Sequence, residues 1–278
     1  MPGILSLMTD FGTLDHYVGV MKSVMLTKDP LAQIIDITHD IEPQNIDQAK
    51  FLTRCSYEYF NENAIHIIIV DPGVGTDRRI VILQTPGGCF IGPDNGVLSE
   101  IIKKYSELGT DAQYGLINVP KSCKAFALDR KEFWMNPVSN TFHGRDIIAP
   151  IAVLLNQTLD PSVYGTEIKK LKYSPLPTPL IEEQSIIGSI VYCDRFGNLI
   201  SNIHSGLINE DKITNIEVAK QKISKIASTF QNSNSNDPFT ALIGSHGYLE
   251  ISKYSVSAAK EIGIVVGDEI KVEYTKQG

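Results

Sequence analysis

Residues 64–70 read "AIHIIIV", apolar at successive positions and broken only by His66. A strand with one wet face alternates apolar and polar residues. A strand that is apolar on both faces has to be covered on both, as in a parallel sheet sandwiched between helices. The flanking sequence supplies the other layers. "GILSLM" and "AQIIDIT" read as strands, and "TLDHYVGVMKSVMLTKD", "NIDQAKFLTRCSYEYF", "DNGVLSEIIKKYS" and "GRDIIAPIAVLLNQ" read as helices. Strands that alternate with helices in this way imply an α/β sandwich with a mostly parallel central sheet over residues 1–172.

The pattern changes at "KYSPLPTPLIEEQ". Prolines at 175, 177 and 179 mark residues 173–185 as an extended linker. From 186 to 278 come short β-type runs, among them "SIIGSIVYCD", "NLISNIH", "KITNIEVA", "TALIGS", "GYLEISK" and "DEIKVEY", with "SVSAAKEIG" the one helical stretch. This implies a smaller all-β barrel domain. The Asn/Ser-rich "FQNSNSNDPF", including residues 231–237, reads as a mobile insertion.

A formal net charge of −7 argues against a general nucleic-acid or anionic-membrane surface. No apolar run approaches the ~20 residues that span a bilayer, and no secretory signal is readable at the amino terminus. Cys55, Cys89, Cys123 and Cys193 are widely spaced. Reduced thiols and a cytoplasmic location are therefore expected, rather than structural zinc or a disulfide framework.

In parallel sheets, functional groups gather past the carboxyl ends of strands. Asp10, Asp40 and Asp71 each follow an apolar strand there, although each could equally cap the helix that comes next. "VDPGVGTDRR" turns on Gly73 and Gly75 and brings Arg78 back toward Asp71. His143, in "NTFHGRD", stands at a helix start, where it could be satisfied by backbone groups or delivered into the same cleft. Together Asp71, Arg78 and His143 suit the holding of a water or hydroxide: an acid orients it or takes its proton, and two cationic or donor groups stabilise negative charge. "TDFG" and "HGRD" have a superficial kinase look, without a glycine-rich nucleotide loop. Gly73 and Gly75 give G-x-G only, with Arg78 where a dinucleotide fingerprint needs its third glycine. No H-x-H or H-x-x-x-H pair supports a transition-metal site.

In the β domain, "YCDRFGNLISNIH" places Asp194, Phe196 and Asn198 at one strand break. An aromatic face beside a bidentate amide suits adenine, and an acid suits an ammonium; a tight Phe-Gly-Asn turn is the plainer explanation. "GSHGYLEI" offers backbone amides beside Ser245 and His246, for a carboxylate or for a hairpin turn alone.

Read in order, "TDFGTLDHYVGVMKSV", "IIDITHDIEPQNI", "VDPGVGTDRR", "IGPDNGVL", "TFHGRD", "DRFGNLISNI" and "GSHGYLEI" resemble the S-adenosylmethionine (SAM) hydroxide adenosyltransferases, or SAM hydrolases, relatives of the SAM-dependent fluorinases and chlorinases. The resemblance spans nearly the whole chain. It implies an α/β domain joined to a β-barrel, a homotrimer, and SAM bound between the first domain of one subunit and the second domain of the next. It implies Asp71, Arg78 and His143 as the water-activating triad, and Asp10 at the ribose hydroxyls. Asp194 would take the methionine ammonium, Phe196 and Asn198 the adenine, and Ser245 with His246 the methionine carboxylate. SAM is then the substrate, and no cofactor or metal is implied. In the halogenating relatives the Asp71 position resembles a tyrosine and the Arg78 position a small hydroxylic residue, so the charged pair here favours hydroxide over halide. "KYSVSAA" departs from the family's usual turn near adenine, and residues 253–256 are left outside the expected site. Three other functions compete: a halogenase-type adenosyltransferase, a SAM or adenosine binder without turnover, and a metal-dependent hydrolase built on Asp10, Asp40, Asp71 and His143.

Overall fold

The computed structural model describes residues 3–107, 114–230 and 238–275. The polar insertion at 231–237 lies outside the described residues. Two compact units make up the chain, Met1–Leu176 and Pro177–Gly278.

The first unit contains strands β1 (Leu5–Thr9), β2 (Ile34–Thr38), β3 (Ile65–Ile69), β4 (Ile80–Thr85), β5 (Gly88–Pro93), β6 (Gly115–Asn118), β7 (Lys124–Ala127), β8 (Thr166–Ile168) and β9 (Lys170–Tyr173), with helices α1 (Tyr17–Lys28), α2 (Ile46–Ser56), α3 (Ser99–Tyr105) and α4 (Ala149–Thr158). The main sheet runs β2-β1-β3-β5-β4-β7-β8. It is parallel from β2 to β5 and antiparallel from there on. The antiparallel part begins with the β4–β5 hairpin. That hairpin follows from a tight Pro-Gly-Gly turn, which leaves no room for a crossover helix.

β3 is buried at every position. Ile65, Ile67 and Ile69 face a core shared with α1 and α4, including Met21, Met25 and Ile151. Ile68 and Val70 face the opposite core, with Ala49 of α2 and Ile101 of α3. Both faces of the strand are thus covered, as its continuous apolar run requires. Truncating such a residue, Ile67→Ala for example, costs about 2–5 kcal/mol.

Two of the expected helices begin late. Residues 13–15 form bends, and α1 starts only at Tyr17. Asp94 and Asn95 are drawn out of α3 by hydrogen bonds of their own: Asp94 Oδ1 accepts from Lys172 N (2.8 Å), and Asn95 Nδ2 donates to the Val70 carbonyl (2.8 Å). The stretch after His143 opens as a five-residue π-helix, Gly144–Ile148, before α4 takes over.

The second unit holds β10 (Leu180–Ile181), β11 (Ser185–Cys193), β12 (Leu199–His204), β13 (Ile213–Val218), β14 (Gln221–Ile223), β15 (Ile226–Ala227), β16 (Thr240–Ile243), β17 (Tyr248–Ser252), α5 (Ala258–Ile262) and β18 (Glu269–Tyr274). Their order, β14-β13-β18-β11-β12-β17-β16-β15, wraps a barrel-like sheet around Ile190, Leu199, Ile216, Leu249, Ile251 and Val272.

Candidate active site

The register Leu5↔Ile65 to Thr9↔Ile69 sets β1 and β3 side by side and in step, so Asp10 and Asp71 emerge at the same edge of the sheet. Both line a cavity of about 640 Å³ within the first unit, together with Phe11, Tyr17, Gln44, Phe142 and His143 among others. Burial lifts Asp10 above the ordinary carboxylate range and the Asp71 charge adds to this, while the Gln44 N–H pulls the other way. That N–H donates to Asp10 Oδ2 at 2.8 Å. To present it, Gln44 sits in the left-handed region at φ 68°, a conformation costly for a residue with a side chain.

Beyond Asp71 the chain reverses through two hydrogen-bonded turns. Val74 N donates to the Asp71 carbonyl (3.2 Å), and Thr76 N to the Gly73 carbonyl (3.1 Å). Gly75 occupies φ 80°, which a side chain would oppose. The reversal carries Arg78 back onto Asp71. Arg78 Nε lies 3.0 Å from Oδ1 and 2.8 Å from Oδ2, and Nη2 lies 2.6 Å from Oδ2. The same Nη2 reaches His143 Nδ1 at 2.9 Å. Arg78 therefore bridges the other two members of the expected triad. Its neighbour Arg79 points elsewhere, to the buried Asp94.

This geometry fixes the proton on His143. A guanidinium nitrogen only donates, so Nδ1 must accept and the ring proton sits on Nε2. Burial, and next the Arg78 charge, push the His143 pKa down, which keeps the ring neutral as the contact demands. Asp71 is then the one proton acceptor of the three. Two Arg78 N–H groups engage it: Nη2 bonds Oδ2 and the single Nε–H is shared between both oxygens, so Oδ1 keeps lone-pair capacity for a water.

Asp40 does not join this group. It is exposed and its backbone N–H bonds Thr38 Oγ1, so the third strand-end acid is not a lining residue of the cavity. Among the described residues, no three His, Cys, Asp or Glu side chains gather to hold a metal ion.

In the second unit, Asp194 organises the β11–β12 turn. Oδ1 accepts from Phe196 N (2.9 Å) and Asn198 N (2.8 Å), and Oδ2 from Asn198 Nδ2 (2.8 Å). Asn198 is buried by this, whereas the Phe196 side chain is 80% exposed. Ser245 and His246 form the β16–β17 turn, where His246 Nδ1 accepts from Tyr248 N (3.2 Å) and Nε2 lies 3.2 Å from Glu250 Oε2. By register the two turns stand at opposite ends of the β12–β17 pair. Asp194 and Asn198 are thus brought together, and Ser245 and His246 lie apart from them.

Residues 5–165 match the SAM hydroxide adenosyltransferase N-terminal domain, and residues 188–271 match its C-terminal domain. The chain belongs to the SAM hydroxide adenosyltransferase family. An (R)-S-adenosyl-L-methionine hydrolase of Methanocaldococcus jannaschii is 31% identical, the match covering 98% of this chain and 96% of the relative. A second protein of that name, from Thermus thermophilus, is 30% identical over 95% of this chain and 97% of its own length. A fluorinase of Nocardia brasiliensis is more distant, at 22% identity over 97% of this chain and 96% of its own length. The fold is similar to that of an uncharacterized conserved protein from Thermotoga maritima, with a TM-score of 0.85 and 28% identity over 97% of this chain and 99% of the other.

Several residues that shape the cavity carry no mark in the sequence of this family member. Phe11, Tyr17 and Phe142 form a wall of tilted and edge-to-face rings, with centroids 5.2 to 6.0 Å apart. Gln44 was invisible because its contribution is a backbone N–H. Arg145, in the kinase-like "HGRD", lines the same cavity.

Proposed function

We propose that this protein hydrolyses SAM to adenosine and L-methionine by direct attack of water at the ribose C5′ carbon. The observation that carries the reading is the Arg78 bridge between Asp71 and His143, set at the mouth of adjacent parallel strands in a chain whose relatives are named for SAM hydrolysis.

The sulfonium needs no acid to leave. As the water oxygen bonds to C5′, the C5′–S bond breaks and its electron pair stays on sulfur, giving the neutral thioether of methionine. The water gives up one proton. The free lone pair on Asp71 Oδ1 accepts that proton or holds the water that passes it to solvent, while Arg78 and the His143 Nε2–H keep the oxygen aligned. No step calls for a metal or cofactor. A carboxylate at this point repels halide, which favours water as nucleophile.

Asp10, half-buried at the cavity mouth and already anchored by Gln44, suits the ribose hydroxyls. The remaining contacts we assign to Asp194, Phe196, Asn198, Ser245 and His246 of a neighbouring copy in a homotrimer. In support, the Asp194-braced turn presents an open Phe196 ring that suits stacking on adenine. Incubating the purified protein with SAM in chloride buffer, with and without chelator, tests the reading. Adenosine and methionine in both cases are expected. 5′-Chloro-5′-deoxyadenosine as the main product, loss of activity with chelator, or binding without turnover would each replace it.

A further inference from the structure

The π-helical turn that follows His143 carries a carboxylate the chemistry above does not use. Asp146 is fully buried, at 0% exposure. Its Oδ1 accepts from Arg145 Nε at 2.6 Å, and its Oδ2 from Arg145 Nη2 at 2.9 Å and from the backbone N–H of Ser139 at 2.7 Å. The Asp146 backbone is engaged too: its carbonyl accepts from Met135 N at 2.8 Å, and its N–H donates to the Phe142 carbonyl at 3.1 Å. Ser139 Oγ in turn accepts from Thr141 N at 3.2 Å, and the Arg145 guanidinium lies 5.2 Å from the Phe142 ring centre. Every residue from Ser139 to Phe142 except Asn140 is thus tied, directly or through one neighbour, to Asp146 or Arg145.

Asn140 has a different contact. Its carbonyl oxygen rests against Gly75, so closely that the first carbon of any side chain there would collide with it. Gly75 belongs to the loop that returns Arg78 to Asp71. The loop carrying Asp71 and Arg78 and the segment leading into His143 therefore meet backbone to backbone.

We infer that Asp146, with Arg145 as its counter-ion, is a positioning residue: it presses the Ser139–Asn140 backbone onto Gly75 and thereby sets the contact between Arg78 Nη2 and His143 Nδ1. The Arg145 side chain is 32% exposed while that of Asp146 is fully buried, so the pair adds little net stability: desolvating the carboxylate offsets a Coulomb attraction that solvent screens from one side. What it supplies is direction, since a carboxylate with three donors holds them in one geometry. The catalytic half of the inference rests on the proposed hydrolysis; the structural half does not.

Asp146→Asn keeps the size but turns an acceptor into an amide that meets Arg145 donor to donor. The test has two readouts. Nitrogen-15 spectra of the histidine rings report the His143 tautomer without any turnover, and single-turnover hydrolysis reports alignment. The parent should hold His143 as the Nε2–H tautomer. In Asp146→Asn the two tautomers should mix, and the rate should fall about a hundredfold, the scale of an ångström-sized misplacement, with SAM affinity unchanged. In a His143→Ala background the same substitution should cost less than about threefold, because its effect passes through His143. Gly75→Ala, which leaves Asp146 intact, should reproduce the tautomer change and stands in if Asp146→Asn fails to fold. An unchanged tautomer in either folded variant overturns the inference. So does an equal rate loss with and without His143, which would make Asp146 a general scaffold residue. A parent that does not hydrolyse SAM overturns the functional reading instead, and the tautomer alone then decides the structural half.

Discussion

Replacing Asp71 by asparagine changes almost nothing in shape and almost everything in hydrogen bonding. The side chains of Asp71 and Arg78 are 8% and 7% exposed, so neither is freely resolvated when the charge is lost. Arg78 presents N–H groups to both carboxylate oxygens. An amide can place only one oxygen there, and its NH₂ must face an Arg78 donor in either flip. Hydrogen bonds to charged groups are worth about 1.5–3 kcal/mol. A loss of about 2.5 kcal/mol in a unit of this size lowers its Tm by roughly 5–10 °C. The chemical step loses more. The Oδ1 lone-pair capacity that can take the proton of water is gone or reversed, and general-base contributions run at about 10²–10⁴-fold, or roughly 3–5 kcal/mol of barrier. The oxygen this group orients is not part of SAM, so SAM affinity should stay within about threefold. Single-turnover rates and calorimetric SAM binding on the same preparation measure both quantities. An Asp71→Asn protein that hydrolyses SAM at the parent rate would refute the assignment.

Asp10→Ala should act in the opposite sense, weakening calorimetric SAM affinity by about tenfold or more through lost hydrogen bonds to a charged group, with some loss of rate from misplacement. If the site is shared between copies, mixing Asp71→Ala and Asn198→Ala proteins under subunit exchange should restore activity; no recovery after verified mixing would place the site in one chain. A stability effect should come from His66, which is buried, shares a 2.8 Å hydrogen bond with Ser6 and stacks on Phe90. Burial lowers its pKa from 6.5 to about 4. The unfolded chain thus binds a proton in that interval that the folded chain refuses, and stability should fall by about 3 kcal/mol as pH drops from 6.5 to 4. Urea midpoints across that range should show the loss in the parent and a smaller one in His66→Leu.

The sequence announced the layered half of the first unit because burial on both faces leaves a plain mark: Ile65 to Val70 has almost no polar position to expose. It did not announce the antiparallel half. β4 and β5 are nearly as buried as β3, and only a two-glycine turn distinguishes a hairpin from a crossover. Within the site, Asp71, Arg78 and His143 were legible as residue types at turns and helix starts, and Arg78 was legible as a return contact because the glycines force a reversal. Asp40 looked equivalent to Asp10 and Asp71 by strand position alone. It differs because β2 is the sheet edge, with His39, and not Asp40, turned inward to Thr9 Oγ1. Asp146 left no sequence signal, since a buried acid and a surface acid are spelled alike.

Water, aligned by the Arg78-bridged triad, is proposed to displace methionine at C5′. Hydrolysis of SAM in oxygen-18 water with excess chloride, followed by mass spectrometry of the nucleoside, tests it most directly. One oxygen-18 atom at the C5′ hydroxyl of adenosine and no chlorinated nucleoside are expected; unlabelled adenosine, or a 5′-chloro product, would rule out direct attack by the aligned water.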